Sequence, residues 1–136
     1  MEYFNSLRHD QHTISAIKHS LETQSIVDMS PIFDAYFISK LTEDTLDVYH
    51  RRLQRKDFVM KQTDNTPRNM FIVSERAITE ESKLIPQFYN DPNVAKFLSA
   101  IAGQEMMPLS WMGERYVING LSHSKDTHGW HWDDYT

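Results

Sequence analysis

The sequence predicts an α+β fold, with helices in the first part of the chain and strands gathering towards its end. Three observations carry that expectation. Residues 92–102 have helix signals at both ends: Asp91 at the N-cap, Pro92 at the first helical position and Gly103 just past the last, with Val94, Phe97, Leu98 and Ile101 forming one apolar stripe. Two β-rich runs, "DFVMKQ" (57–62) and "NMFIVS" (69–74), flank the turn-like "TDNTP" (63–67). The stretch "RYVING" (115–120) reads as a further strand that leads through a polar loop into the closing segment.

The remaining elements are weaker. Residues 7–22 set Leu7, Ile14, Ile17, Lys18 and Leu21 at helical spacing and predict an opening amphipathic helix. "FDAYFIS" (33–39) is aromatic and β-branched, which predicts a strand or extended segment. Thr42 then caps a helix with Glu43 and Asp44 in its first turn. Leu46, Tyr49 and Leu53 lie on one face, and Arg51, Arg52, Arg55 and Lys56 lie towards the C-terminus, where the helix dipole favours cations. Trp111, Phe97, Met106, Met107 and Met112 are expected to fill core. No repeat, low-complexity tract or linker interrupts the chain, so residues 1–136 are expected to form one domain or one piece of a domain.

Composition removes several function classes. With 14 Lys+Arg against 19 Asp+Glu, the net charge of −5 gives no basic footprint for nucleic acid or an anionic membrane surface. No apolar run reaches the roughly 20 residues of a membrane span, and the start lacks the layout of a secretory signal, so a cytoplasmic location is expected. The absence of cysteine excludes disulfides and thiolate sites. Any metal must be held by imidazole and carboxylate.

Those residue types concentrate in "SKDTHGWHWDDYT" (124–136). His131 and Asp133 form an H-x-D pair, and in extended backbone residues i and i+2 project from the same face, so both can reach one ion. A histidine and a carboxylate from one segment supply two members of a 2-His-1-carboxylate triad, the arrangement by which non-haem Fe(II) oxygenases keep open coordination positions. His128, Gly129, Trp130 and Asp134 add a second imidazole, a flexible backbone position, a bulky wall and another carboxylate. The competing reading is a loop that buries its tryptophans and solvates its charges. His9, His12, His19, His50 and His123 have no such neighbourhood and are assigned no site.

"THGWHWDD" resembles the metal-binding stretch of the Fe(II)/2-oxoglutarate enzymes that halogenate or hydroxylate free amino acids, lysine in particular. "TPRNM" around Arg68 and "WMGERY" around Glu114 resemble that family's substrate-contacting segments in the same order. The resemblance implies a double-stranded β-helix, or jelly roll, behind an N-terminal helical layer. It implies Fe(II) as metal, 2-oxoglutarate and dioxygen as cosubstrates, and attack on an unactivated carbon of a small amino acid. Halogenating members have Gly where this sequence has Asp133, because losing the carboxylate vacates a position for chloride. Asp133 therefore implies hydroxylation.

By the same resemblance Glu114 and Asp134 hold a substrate ammonium group, Arg68 holds the substrate carboxylate, and His128 contacts substrate or supports the metal site. The third ligand and the residue anchoring 2-oxoglutarate are expected beyond Thr136, so the jelly roll reads as truncated and the 136 residues alone as inactive. Three alternatives stay open at this point: a non-catalytic domain that binds an amino acid or a metal, a halogenase relative, and a structural fragment whose aromatic end docks on a partner.

Overall fold

Three helices begin at an aspartate that caps them. Asp10 accepts the Thr13 amide at 2.7 Å to open α1 (Gln11–Gln24), Asp34 accepts Phe37 at 2.9 Å to open α2 (Ala35–Arg52), and Asp91 accepts Asn93 at 2.8 Å to open α5 (Pro92–Ala102). Each cap supplies an acceptor to amides that have no partner inside the helix. The computed structural model describes residues 3–4, 10–111, 113, 115–129 and 131. Among these, two strands, β1 (Gln54–Met60) and β2 (Thr66–Val73), follow α2, and the short helices α3 (Glu75–Glu81) and α4 (Leu84–Tyr89) precede α5. A third strand, β3 (Ile118–Gly120), completes a three-stranded antiparallel sheet in the order β1-β2-β3.

The architecture is α+β, and α5 has the bounds and caps the sequence predicts, with Gly103 at φ +71° closing it. Several other expectations are corrected. Residues 33–39 are not a strand: only Phe33 makes a β-bridge, with Phe4, and Asp34 caps a helix that runs through Thr42 without interruption. Burial overrides local β-propensity there, since Phe37 and Val48 lie on one helical face and are both fully buried, whereas Tyr36 and Leu46 are exposed. Leu53 ends α2, so Arg55 and Lys56 belong to β1 and not to its last turn. Residues 75–89, for which the sequence predicts no element, fold as α3 and α4 between the strands, so helices do not all precede strands. Of the expected core fillers Phe97 is buried, but Met106, Met107 and Trp111 are exposed on the segment after α5, and Met112 lies outside the described residues.

Apolar burial forms two centres. Ile17 of α1, Ile32, and Phe97 and Ile101 of α5 pack together, joined through Phe4 to the rings of Phe33, Phe37 and Phe88. The second centre joins Val48 of α2, Val73 of β2, and Ala77 and Ile78 of α3, with Tyr49 and Ile118 against it. Antiparallel register pairs Phe71 with Gly120 and Val73 with Ile118, so these residues share the sheet face turned to α2. A Cβ on Gly120 would sit 2.2 Å from the Tyr49 hydroxyl, which explains a glycine in that strand. Arg68, Met70 and Ile72, with Asn119 opposite Ile72, lie on the other face.

Candidate active-site face

β2 keeps a partner beyond β3. Asn69 and Thr127 exchange two backbone hydrogen bonds of 2.9 Å, so the chain leaves β2 after Gly120, bulges through residues 121–126, and returns to the same edge. The pleat then sets His128 across from Arg68, on the face that also carries Asn119. Asn119 Nδ2 lies 3.4 Å from His128 Nε2. Gly129 ends the pairing with φ +67°, and a Cβ there would meet the Pro67 carbonyl at 2.6 Å, so only glycine permits this turn against β2.

That turn brings His131 back onto His128. Their rings stand edge to face at 4.4 Å between centroids, and His131 Nδ1 is 3.1 Å from the Gly129 carbonyl. A carbonyl can only accept, so Nδ1 carries the proton and Nε2 of neutral His131 carries the lone pair. This is the tautomer in which a metal-binding histidine is usually held by its support. Arg68 is half-buried, and its Nε is buried without a hydrogen-bond partner among the described residues. Such a donor costs on the order of 1–3 kcal/mol when left unsatisfied, which an anion on this face would offset. Among the described residues no three His, Asp or Glu side chains group to hold a metal ion. Asp133, Asp134, Glu114 and Trp130 lie outside the described residues.

Two buried carboxylates hold the segments before and after β3. Asp126 has a side chain only 1% exposed and meets the Arg55 guanidinium at 2.6 Å, while its other oxygen accepts the Ser122 and His123 amides at 2.8 and 2.9 Å. Burial pushes its pKa up, but Arg55 and the two amides outweigh burial and leave it at about 2. Arg55 also pairs with Asp57 and stacks over Phe71, so the 121–126 bulge is clamped to β1 and β2. Glu75, buried at the start of α3, receives the Arg115 side chain and the amides of Gly113 and Arg115. The Arg115 guanidinium holds its pKa below the usual carboxylate value against the opposing effect of burial.

Residues 9–136 match the family model described as Halogenase D. The chain belongs to the Halogenase D family. A comparison with curated proteins returns no match. Membership makes the chain a halogenase relative at the level of family, and no described helix is long and apolar enough to cross a membrane. Of the residues the sequence singles out in this Halogenase D chain, the structure brings Arg68, His128 and His131 to one face. Sequence reasoning missed Asn119, Asp126 and Glu75. Arg55 and Asp126 are 71 positions apart, and Glu75 and Arg115 are 40 apart, so no local spacing joins them.

Proposed function

We propose that this protein is an Fe(II)- and 2-oxoglutarate-dependent hydroxylase of a free cationic amino acid, lysine foremost, whose sheet is part of a double-stranded β-helix. The observation that carries the reading is the 3.1 Å contact of His131 Nδ1 with the Gly129 carbonyl, beside His128 on the Arg68 face, in a chain of the Halogenase D family. The donor set fits the metal: imidazole and carboxylate without thiolate suit non-haem Fe(II), with His131 and Asp133 as its ligands from this segment. When bound, the metal couples oxidative decarboxylation of 2-oxoglutarate by dioxygen to oxidation of an unactivated C–H bond.

The other roles belong to this chain's own side chains. Arg68 presents a guanidinium with a buried donor unsatisfied among the described residues, which suits the carboxylate of a free amino acid. Glu114 and Asp134 take its ammonium group, because a cation leaving water needs carboxylate partners to offset its desolvation. His128, across from Arg68, contacts the substrate between the anion and metal ends of the face. Asp133 keeps the place that halogenating relatives leave open for chloride, and so commits the reaction to hydroxylation.

His131→Ala in the intact protein should abolish Fe(II) binding and 2-oxoglutarate consumption; wild-type metal stoichiometry in that variant would sink the metal assignment. The reaction type is read from product mass with Fe(II), 2-oxoglutarate, oxygen, chloride and a panel of cationic amino acids. A hydroxylated product is expected from the wild type, and loss of hydroxylation from Asp133→Gly. A chlorinated wild-type product, or an Asp133→Gly variant hydroxylating at the wild-type rate, would overturn the role of Asp133.

A further inference from the structure

We infer that Thr127 is the positioning residue for His131, setting its approach to His128 and the affinity for metal through the backbone of Gly129; this rests on the function proposed above. Thr127 lies opposite Asn69, so its side chain belongs to the sheet face of Asn69, Phe71 and Val73, away from Arg68 and His128. It can therefore act on the site only through the chain. What it touches is the turn: the Thr127 hydroxyl accepts the Gly129 amide at 3.0 Å, and the Gly129 carbonyl lies 3.1 Å from His131 Nδ1.

The peptide plane that donates to Thr127 joins His128 to Gly129, so its orientation fixes where the φ +67° turn begins. Beyond that turn the chain has doubled back far enough for the two imidazole rings to meet at 4.4 Å. A glycine permits the left-handed conformation but populates others as readily, so a second group must select it. The Thr127 hydroxyl is placed to do so, because its own backbone is held from two sides. It exchanges two hydrogen bonds with Asn69 of β2, and the preceding Asp126 is anchored on Arg55 of β1 at 2.6 Å. A run of short contacts thus leads from β1 to His131 through Arg55, Asp126, Thr127 and Gly129, and such support behind a ligand is what a tight metal site requires.

The test titrates the intact protein with Fe(II) in the absence of oxygen and compares the wild type with Thr127→Val, Thr127→Ser and His131→Ala. Amide exchange at positions 69, 127 and 129 is read in the same proteins. Thr127→Val keeps the branched shape that suits extended backbone and removes the acceptor. Its Fe(II) affinity should fall about ten-fold and protection of the Gly129 amide should drop, while the amides of the bridge at positions 69 and 127 keep theirs. Thr127→Ser restores the hydroxyl and should bind Fe(II) within about two-fold of the wild type. Wild-type affinity in Thr127→Val, or an equal loss in Thr127→Ser, overturns the positioning role and leaves the metal assignment standing. So does an affinity loss in Thr127→Val that comes with loss of protection across the bridge, since the hydroxyl would then serve the sheet edge alone. Wild-type affinity in His131→Ala removes the metal assignment itself, and the positioning role with it.

Discussion

The helices α1 and α5 and the sheet edge that carries the candidate site are held by different balances of apolar and polar contacts. Around α1 and α5 the buried side chains are Ile17, Ile32, Phe97 and Ile101, and the rings of Phe4, Phe33, Phe37 and Phe88 extend the same apolar centre. Around β3 and residues 121–129, beside the packing of Ile118 on the second apolar centre, the chain is held by ionic and hydrogen-bonded contacts: Asp126 to Arg55, Glu75 to Arg115, and the Tyr49 hydroxyl to Ser122. Apolar burial is non-directional and sets stability, whereas buried carboxylates with several donors set the direction of a chain segment. The contrast teaches that stability and aim are separable in this molecule, and substitutions should separate them.

The largest expected effect lies on the apolar side. Phe97 is 3% exposed and bridges α5 to Phe4, so Phe97→Ala should cost about 3–5 kcal/mol through lost burial and the cavity left behind. A chemical denaturation series checks it. If the two regions are independent in aim, the folded fraction of Phe97→Ala should bind lysine as the wild type does; a large affinity loss in the folded fraction would break the contrast.

Gly129→Ala strikes the sheet edge with a smaller cost in stability and a greater one in function. At φ +67° an alanine loses about 1–2 kcal/mol to backbone strain, and its Cβ would press on the Pro67 carbonyl, 2.6 Å from the ideal position. The carbonyl that supports His131 Nδ1 belongs to the same residue, so Fe(II) affinity should fall by about 10–100-fold, the range seen when a ligand's hydrogen-bond support is disturbed. Metal titration alongside thermal melting measures both. Unchanged metal affinity with a lowered melting temperature would show that the turn serves folding alone.

The same division explains what could be read from the sequence. α5 was legible because Asp91, Pro92, Gly103 and the apolar stripe are local and agree with one another. α2 was half legible: the β-like residues of 33–39 concealed the Asp34 cap, and only the distant contacts of Phe37 decide that they are helical. His128 and His131 stood out because their grouping is confined to a few residues. Glu75 and Asp126 did not, because each is one acid among many until the fold supplies donors from far along the chain. Met107 and Trp111, apolar in type yet 77% and 63% exposed, show the converse failure: residue type predicts burial only where an element carries it inward.

The smallest expected effect is local and depends on pH. Asp126 titrates at about 2 in the folded protein against an ordinary value of 3.8, so the folded state binds fewer protons than the unfolded chain between those values. Its contribution is therefore complete above about pH 4 and disappears as pH falls through about 2. The amides of Ser122 and His123 report it directly, since the Asp126 carboxylate is their acceptor. Their exchange protection, corrected for intrinsic rates, should fall across that window in the wild type. In Asp126→Asn it should already be low at neutral pH and lack that acid step, because an amide oxygen is a weaker acceptor and leaves Arg55 without its buried counter-charge. Protection at Ser122 and His123 that follows the same acid profile in both proteins would mean that the bulge is held by the Tyr49 to Ser122 hydroxyl contact and not by the carboxylate.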